Sequence, residues 1–468
     1  MSYYNQKLEE FEQFIQEKRV AIIGLGVSNI PLLSYLHNLN CQVGIFDKNE
    51  IEKLDRKAVQ EIKDYKFELY TGPEALQHLK NYAVIFRSPS CMPDTPEIAL
   101  EVEKGAILTS EIEMVLKLCP GTVIGITGTE GKTTTSSIIY AIIQKSGKPC
   151  YLGGNIGKPL FTEIKNMTPE TIVVLELSSF QLVDADVSPQ ISVVTNIYPD
   201  HLNVHKSYEE YREAKKNIFK HQDANGLVVL NYDNEFTREF SKEAKGKVIF
   251  FSSKEKLENG YIYDDTNKTI KCCENGIRRH LIKKQEIKLR GIHNYENICT
   301  ALAATSTIVN VDTQIQAIKE FTGVEHRLEF VREINGVKWY NDSIGTSPAS
   351  TIAGLKSFDE NIILLAGGSD KGLDYTEIGK TIAKKVGTLI LTGPTSEKIE
   401  KATKEALKEK NITIYYCSNM QEAVNTAYEV ANQGNVVLLS PASASFDLYK
   451  NFADRGNKFK ECVQELEI

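Results

Sequence analysis

No apolar run in this chain approaches the ~20 residues that span a bilayer, and the opening MSYYNQKLEEFEQFIQEK has no apolar signal core. A cytoplasmic protein with no membrane partner is the expectation. No CxxC pair occurs among Cys41, Cys91, Cys119, Cys150, Cys272, Cys273, Cys299, Cys417 and Cys462, so neither a zinc cage nor a disulfide framework is expected. Reduced, structural thiols are. There is no excess of positive charge either: Lys+Arg 55 against Asp+Glu 62 leaves −7, which repels a polyanion and argues against nucleic acid as a partner. Any anionic ligand has to be held locally. Internal repeats and low-complexity tracts are absent, and 41% hydrophobic with 25% charged residues is an ordinary globular composition, which excludes a disordered or fibrous chain.

What is present is length. At roughly 100–200 residues per domain, 468 residues predict two to four domains, each able to bury its own core. Short apolar runs alternate with longer helical patterns, as in parallel sheets with crossover helices. The spacing predicts an α/β protein of three domains. Residues 1–119 open with RVAIIGLGVSN and close with the helical EIEMVLKL. Residues 120–322 start at TVIGITGTEGKTTT, and from about Leu227 to Arg290 their short strands, broken by NYDN, ENG and DDTNK, predict an antiparallel flap on a parallel sheet. Residues 323–468 carry VKWYNDS, NIILLAGGSDKG, TLILTGP and NVVLLSPASASFD.

The strongest local signal is TGTEGKTTT between an apolar strand and a helix. Backbone N–H groups of a glycine-rich turn at a helix N-terminus bind phosphate oxygens, and a lysine with a hydroxyl completes a nucleotide and magnesium site. Gly128, Gly131, Lys132 and Thr133 supply those parts, although Ile126 occupies the first glycine position of strict GxxxxGK[ST] spacing. Magnesium takes hard oxygen ligands. Glu176, the one charge of IVVLELSS, ends its strand where open parallel sheets place their ligands. After the next strand, NIYPDHLN places His201 near Asn196 and Asp200, which favours a site role for the histidine.

In SYEEYREAKKNIFK, Ser207 and Glu210 read as a capping box that sets the helix phase. Tyr208, Tyr211, Ile218 and Phe219 then mark the buried face, Lys215 lies on it, and Lys216 points about 100° away. Lys215 is either a snorkelling lysine or one that is modified or coupled to a metal. The second case needs a neutral amine, and moving a pKa from ~10.4 to 7 costs about 4.6 kcal/mol. In the first domain GLGVSN has Asn29 at the third glycine position of GxGxxG, and Asp47 ends the next strand where a ribose reader stands. A dinucleotide site, a plain βαβ turn and a uridine nucleotide site all fit that crevice.

With TGTEGKTTT, ELSSFQL, NIYPDH, YREAK, HNYEN, HR, NDS, GGSDKG and SPASASFDLYKNFADRGNKF in this order over essentially the whole length, the chain resembles the Mur ligase family. ELSSFQL and SFDLYKNFADRGNKF point to its D-glutamate-adding branch. The resemblance implies a Rossmann-like UDP-binding domain, a central P-loop ATPase-type domain and a Rossmann-like C-terminal domain that closes over the site. It implies ATP and Mg2+ as cofactors, UDP-N-acetylmuramoyl-L-alanine and D-glutamate as partners, and a monomer. Residue by residue, Gly128, Thr129, Glu130, Gly131, Lys132, Thr133 and Thr134 match the phosphate loop, with Lys132 on the transferred phosphate and Thr133 on the metal. Glu176 and His201 match metal-site residues, and Lys215 matches a lysine carried as a carbamate. Asn155 and Ser178 match positions near the muramoyl substrate, and Val27, Ser28, Asp47 and Ser88 fall where the uridine diphosphate binds. Asn294 and Asn297 match adenine contacts, Arg327 and Asp342 further nucleotide contacts, and Thr346, Lys371, Ser445 and Phe452 the D-glutamate pocket. The chain departs from the family pattern at Glu130 inside the phosphate loop, at Ile344 in place of a lysine, and at PSCMP after Ser88.

The chemistry so implied is phosphorylation of the L-alanyl carboxylate by ATP, then attack of the D-glutamate amine on the acyl phosphate. Catalysis would rest on positioning and charge neutralisation around a loose phosphoryl transition state. Rival readings are a ligase for another amino acid or a folylpolyglutamate-type enzyme, a nicotinamide-dependent oxidoreductase using the GLG turn, and an ATP-binding switch that makes no amide.

Overall fold

Apolar runs that end in Gly, Ser, Thr, Asp or Asn form the strands, and the helices between them carry the chain back to the same edge, which makes consecutive strands parallel. The computed structural model describes residues 3–200, 204–407 and 411–466. Among these, no helix is long and apolar enough to cross a membrane. The chain divides into two compact units, Met1–Glu286 with Glu296–Lys319, and Ile287–Tyr295 with Glu320–Ile468.

The first unit holds two sheets. One comprises β1 (Arg19–Ile23), β2 (Gln42–Asp47), β3 (Glu68–Thr71), β4 (Val84–Arg87) and β5 (Ile107–Thr109), all parallel in the order β3-β2-β1-β4-β5. Strand order reverses between β1 and β4, and there the loops beginning at Gly24 and Ser88 part to leave a crevice at the strand C-termini. The other sheet has nine strands: β6 (Thr122–Thr127), β7 (Cys150–Gly154), β8 (Ile172–Glu176), β9 (Ile191–Val194), β10 (Leu227–Asn231), β11 (Lys247–Ser252), β12 (Gly260–Asp264), β13 (Thr269–Glu274) and β14 (Ile277–Lys283). Their order is β14-β13-β12-β11-β10-β9-β6-β8-β7.

The expected flap needs correcting here. β10, β11 and β12 continue the parallel sheet, and only β12-β13-β14 are antiparallel, so the change of direction comes near Asp264 rather than at Leu227. The helix Glu235–Phe240, with its N-cap Asn234 on the Thr237 amide, supplies the crossover that NYDN suggested was a hairpin turn. One apolar core runs through both sheets of this unit. At its centre Phe161 packs against Phe11, Tyr35 and Phe86, burial worth about 2–3 kcal/mol for one such side chain.

The second unit holds β15 (Glu329–Ile334), β16 (Val337–Asn341), β17 (Ile362–Gly367), β18 (Val386–Thr392), β19 (Thr413–Cys417) and β20 (Val436–Leu439), in the order β15-β16-β20-β17-β18-β19. Only the β15-β16 pair is antiparallel. Strand alternation splits its core: Trp339, Ile363, Leu365 and Val437 pack on one face, and Tyr340, Ile362, Leu364 and Leu438 on the other. An α/β architecture built on three sheets is thus what the sequence pattern implied.

Candidate functional site

β6 delivers the glycine-rich turn at the point where β8 and β9 flank it. Gly128 has φ +149°, and a Cβ there would collide with the Thr195 hydroxyl. Gly131, at φ +81°, is the N-cap of the helix Lys132–Lys145, and a Cβ there would lie 2.6 Å from Oδ1 of Asn297. Both positions therefore require glycine. The turn is pinned from β9: the Thr129 amide donates to the Asn196 carbonyl at 2.9 Å, the Glu130 amide to Asn196 Oδ1 at 2.8 Å, and the Thr195 hydroxyl to the Glu130 carbonyl at 2.6 Å. Lys132 curls over it and donates to the carbonyls of Gly128 and Thr129 at 2.9 and 2.8 Å. Thr133 and Thr134 follow in the first helical turn, where unpaired amides and the helix dipole favour an anion.

Glu176 closes β8 and is 1% exposed. Asn155 Nδ2 donates to its Oε1 at 2.8 Å, while its Oε2 is buried with no hydrogen-bond partner. A buried carboxylate oxygen without a donor is costly, and either a hydrogen-bond donor or a hard cation would satisfy it. Ser178, two residues on, caps the helix Ser179–Leu182 in a reciprocal capping box with Gln181.

Lys215 lies on the helix Tyr208–Lys220 and is 2% exposed, in agreement with its phase. Its Nζ donates to the Gly128 carbonyl at 2.9 Å and reaches Thr127 Oγ1 at 3.3 Å, over the Tyr211 ring. Burial first, and the Lys132 charge second, hold its ammonium well below the usual lysine range, with Asp200 and Glu176 partly opposing. Two expectations about this helix change. Glu210 accepts from the Lys206 amide instead of the Ser207 amide, so only the Ser207 half of the capping box forms. Lys216 is covered too, because its stem lies over Phe240 and its ammonium pairs with Glu213 and Glu243. His201 lies outside the described residues.

Sequence reasoning missed two side chains beside this site. Tyr211 was read as core, yet its hydroxyl is 3.0 Å from Thr129 Oγ1, and burial pushes its phenol up to about 12, so it stays protonated. His205 stacks on Phe180 and has its Nε2 2.9 Å from Ser179 Oγ. Two aromatics four and seven residues from Lys215 on its own face were the available signal for Tyr211 and Tyr208; His205, in a loop, left none. Among the described residues no cluster of three or more His, Cys, Asp or Glu side chains is arranged to hold a metal.

The helix Ile292–Thr305 carries both asparagines read as adenine contacts. In the first unit Asn297 is buried and accepts from the Thr135 hydroxyl at 3.2 Å. In the second unit Asn294 donates to the Arg290 carbonyl at 2.6 Å. Asp342, just past β16, is buried; it accepts from the Ser440 hydroxyl at 2.7 Å and the Leu328 amide at 3.2 Å. Burial pushes its carboxyl up to about 6 against the pull of Ser440 and Arg327. Arg327 sits at that turn with its Nε buried and unpaired.

Ser445 and Phe452 bracket one loop, which a buried arginine organises. Arg455 donates to the carbonyls of Ser343, Ser443 and Ala444 at 3.0–3.1 Å and from Nε to Ser343 Oγ at 3.0 Å, while that hydroxyl donates to the Phe452 carbonyl at 2.7 Å. Thr346 follows in the same turn as Ser343, its amide on the Ile344 carbonyl, and Lys371 is exposed on the loop after β17. Arg455 was not singled out in the sequence, where it stands only as part of SFDLYKNFADRGNKF.

In the first sheet a cavity of about 320 Å³ opens at the reversal of strand order, lined by Gly24, Asp47, Lys48, Ser88, Ser90 and Cys91 among others. Asp47 accepts from the Leu25 amide at 2.8 Å and the Asn49 amide at 2.8 Å, so it holds the rim of the cavity it faces. Val27 is exposed and Ser28 half-buried, and both lie outside the lining.

Comparison with known proteins places the chain in a family. Three family descriptions match: the Mur ligase MurD-like N-terminal domain over residues 18–110, the Mur ligase middle domain over residues 126–305, and the Mur ligase glutamate ligase domain over residues 326–443. Proteins named UDP-N-acetylmuramoylalanine--D-glutamate ligase from Ruminiclostridium cellulolyticum and Acetivibrio thermocellus are each 46% identical, covering 99% of this chain and 100% of theirs. In fold, the chain is similar to UDP-N-acetylmuramate-alanine ligase from Thermotoga maritima, with TM-score 0.59 and 18% identity over 96% of this chain and 99% of that one. It is also similar to a MurF ligase from Thermotoga maritima solved with ADP, with TM-score 0.55 and 18% identity over 97% of each chain. A glycine-rich turn at a helix N-terminus beside a buried carboxylate, and full-length identity of this size, lead to one conclusion: the chain belongs to the Mur ligase family.

Proposed function

We propose that this chain is an ATP-dependent acid–amino-acid ligase that joins D-glutamate to UDP-N-acetylmuramoyl-L-alanine in peptidoglycan precursor synthesis. The observation that carries the reading is 46% identity, end to end, with proteins named for that reaction. ATP and a nucleotide-linked sugar as substrates put the work in the cytoplasm. Residues 1–119 take the uridine nucleotide, 120–322 take ATP, and 323–468 take the amino acid.

In this reading the amides of the turn Gly128–Lys132 and the Lys132 ammonium receive the phosphates of ATP, with Asn294, Asn297, Arg327 and Asp342 on its nucleoside. A carboxylate oxygen of the L-alanyl group attacks the γ-phosphorus and ADP leaves. The neutral amine of D-glutamate then attacks the acyl carbon, the tetrahedral intermediate expels phosphate, and the amine proton departs with it. The residues do little covalent work; they position charge, and Lys132 is worth most when the phosphoryl group is in flight. Thr133 and the free oxygen of Glu176 would hold Mg2+, which would neutralise phosphate oxygens, and the family resemblance adds His201, outside the described residues, to that set. Lys215, whose pKa burial holds well below the usual lysine range, is suited to add as its free amine to CO2, forming a carbamate and releasing a proton. Asn155, Ser178, Asp47, Ser88, Val27 and Ser28 would serve the UDP-sugar, and Thr346, Lys371, Ser445 and Phe452 the D-glutamate.

The test is phosphate release from ATP. It should require both UDP-N-acetylmuramoyl-L-alanine and D-glutamate, and release that needs only one of them, or that another amino acid supports equally, would overturn the reading.

A further inference from the structure

Arg87, the last residue of β4, is 1% exposed, yet it is charged and sits between two pieces of the first unit. On one side its Nη1 reaches the carbonyls of Ser88 and Cys91 at 3.5 and 3.3 Å, the ends of the short loop that lines the cavity. On the other side its Nε donates to Asp184 Oδ2 at 2.8 Å, its Nη2 pairs with Asp184 Oδ1, and Nη2 also donates to the Phe180 carbonyl at 3.0 Å. That second surface is not a free loop. Phe180 is in the capped helix that starts at Ser178, two residues after Glu176. The Leu182 carbonyl behind it accepts from Asn217 Nδ2 at 2.8 Å, on the same helix as Lys215. One guanidinium therefore ties the wall of the cavity to the segment that carries Glu176 and Ser178.

We propose that Arg87 is a positioning residue that sets the reach between the nucleotide cavity and the place where the far end of the substrate reacts. The inference rests on the function proposed above, in which one substrate is anchored by its uridine diphosphate and activated at its carboxylate. A two-ended ligand is sensitive to the spacing of its two subsites, whereas a ligand that fills only the cavity is not. A planar fork with donors on both edges holds two backbone segments and a bidentate carboxylate together, and a lysine at the same position is a single point charge.

The experiment compares wild-type protein with Arg87→Lys and Asp184→Asn in the full chain. UDP and UDP-N-acetylmuramoyl-L-alanine binding are measured by calorimetry, and KM and kcat by phosphate release. The expected result is a rise of about tenfold in Kd and KM for the full substrate, with UDP affinity and the KM for ATP within about twofold of wild type. Arg87→Lys should fall between wild type and Asp184→Asn. If both variants melt earlier but bind the full substrate as wild type does, the pair is only structural and the proposal is overturned. An equal loss of UDP and full-substrate binding also overturns it, since the cavity alone would then be damaged. Should Asp184→Asn fail to fold, Arg87→Lys carries the same comparison. Wild-type protein that binds UDP but not the muramoyl substrate would instead remove the function on which the inference rests.

Discussion

Asn155 donates its side-chain amide to one oxygen of Glu176 at 2.8 Å and leaves the other oxygen buried with no partner. The carboxylate is oriented by its neighbour, and in the proposed function its free oxygen would receive Mg2+. Glu176→Gln should preserve the fold, since Asn155 still finds a carbonyl oxygen, and should lower ATP-dependent phosphate release by at least about 100-fold. Raising the Mg2+ concentration should recover part of the loss. Wild-type turnover at ordinary Mg2+ would show that the free oxygen has no catalytic ligand.

Lys132 donates to the Gly128 and Thr129 carbonyls of its own turn, while the turn is also pinned by Thr195 and Asn196, so it keeps most of its support without the lysine. Lys132→Ala should melt within a few degrees of wild type and make no detectable amide. A variant that still couples ATP cleavage to amide formation would remove the assignment of this turn to the triphosphate.

Lys215 is held below the usual lysine range chiefly by burial. The native state then binds fewer protons there than the unfolded chain, so its contribution to stability rises with pH until the unfolded value, about 10.4, is passed. Lys215→Met should therefore be more stable than wild type at pH 7, with an advantage that shrinks as pH rises towards 10. Calorimetric melting of both proteins across that range is the check, and an advantage that grows with pH would contradict it. The same variant should lose activity, and wild-type protein given 13C-bicarbonate should show a carbamate resonance that the variant lacks.

Asp342 has its carboxyl pushed up from the ordinary range to about 6 by burial. Its native form holds its proton more tightly than the unfolded form, so it favours folding below about pH 4 and the benefit is lost as pH rises through 6. Asp342→Asn should flatten the pH dependence of stability between pH 4 and 7 by about 3 kcal/mol. Denaturant titrations at several pH values would measure it. Unchanged pH dependence would mean that Arg327 and Ser440 already compensate the buried charge.

Much of the molecule was legible in the sequence because its signals are local. Apolar runs that end in turn residues marked the strands that build the sheets, and glycine-rich TGTEGKTTT specified a turn whose φ values at Gly128 and Gly131 only glycine adopts readily. Helical phase put Lys215 on the buried face from Tyr211 and Ile218 alone. Where direction depends on a distant partner the sequence was a poorer guide: its turn signals announced the antiparallel strands but began them at Leu227, two parallel pairings too early. β12 pairs parallel with β11 and antiparallel with β13, and nothing in its own residues distinguishes those edges. The fork of Arg87 onto Asp184, the hold of Arg455 on Ser343 and the amide of Asn155 on Glu176 join residues far apart in the chain. Sequence determined which side chains could bear charge and which turns could bend. The tertiary structure decided which of those charges lost their water, and burial is what turns an ordinary lysine, arginine or glutamate into one that must find a partner.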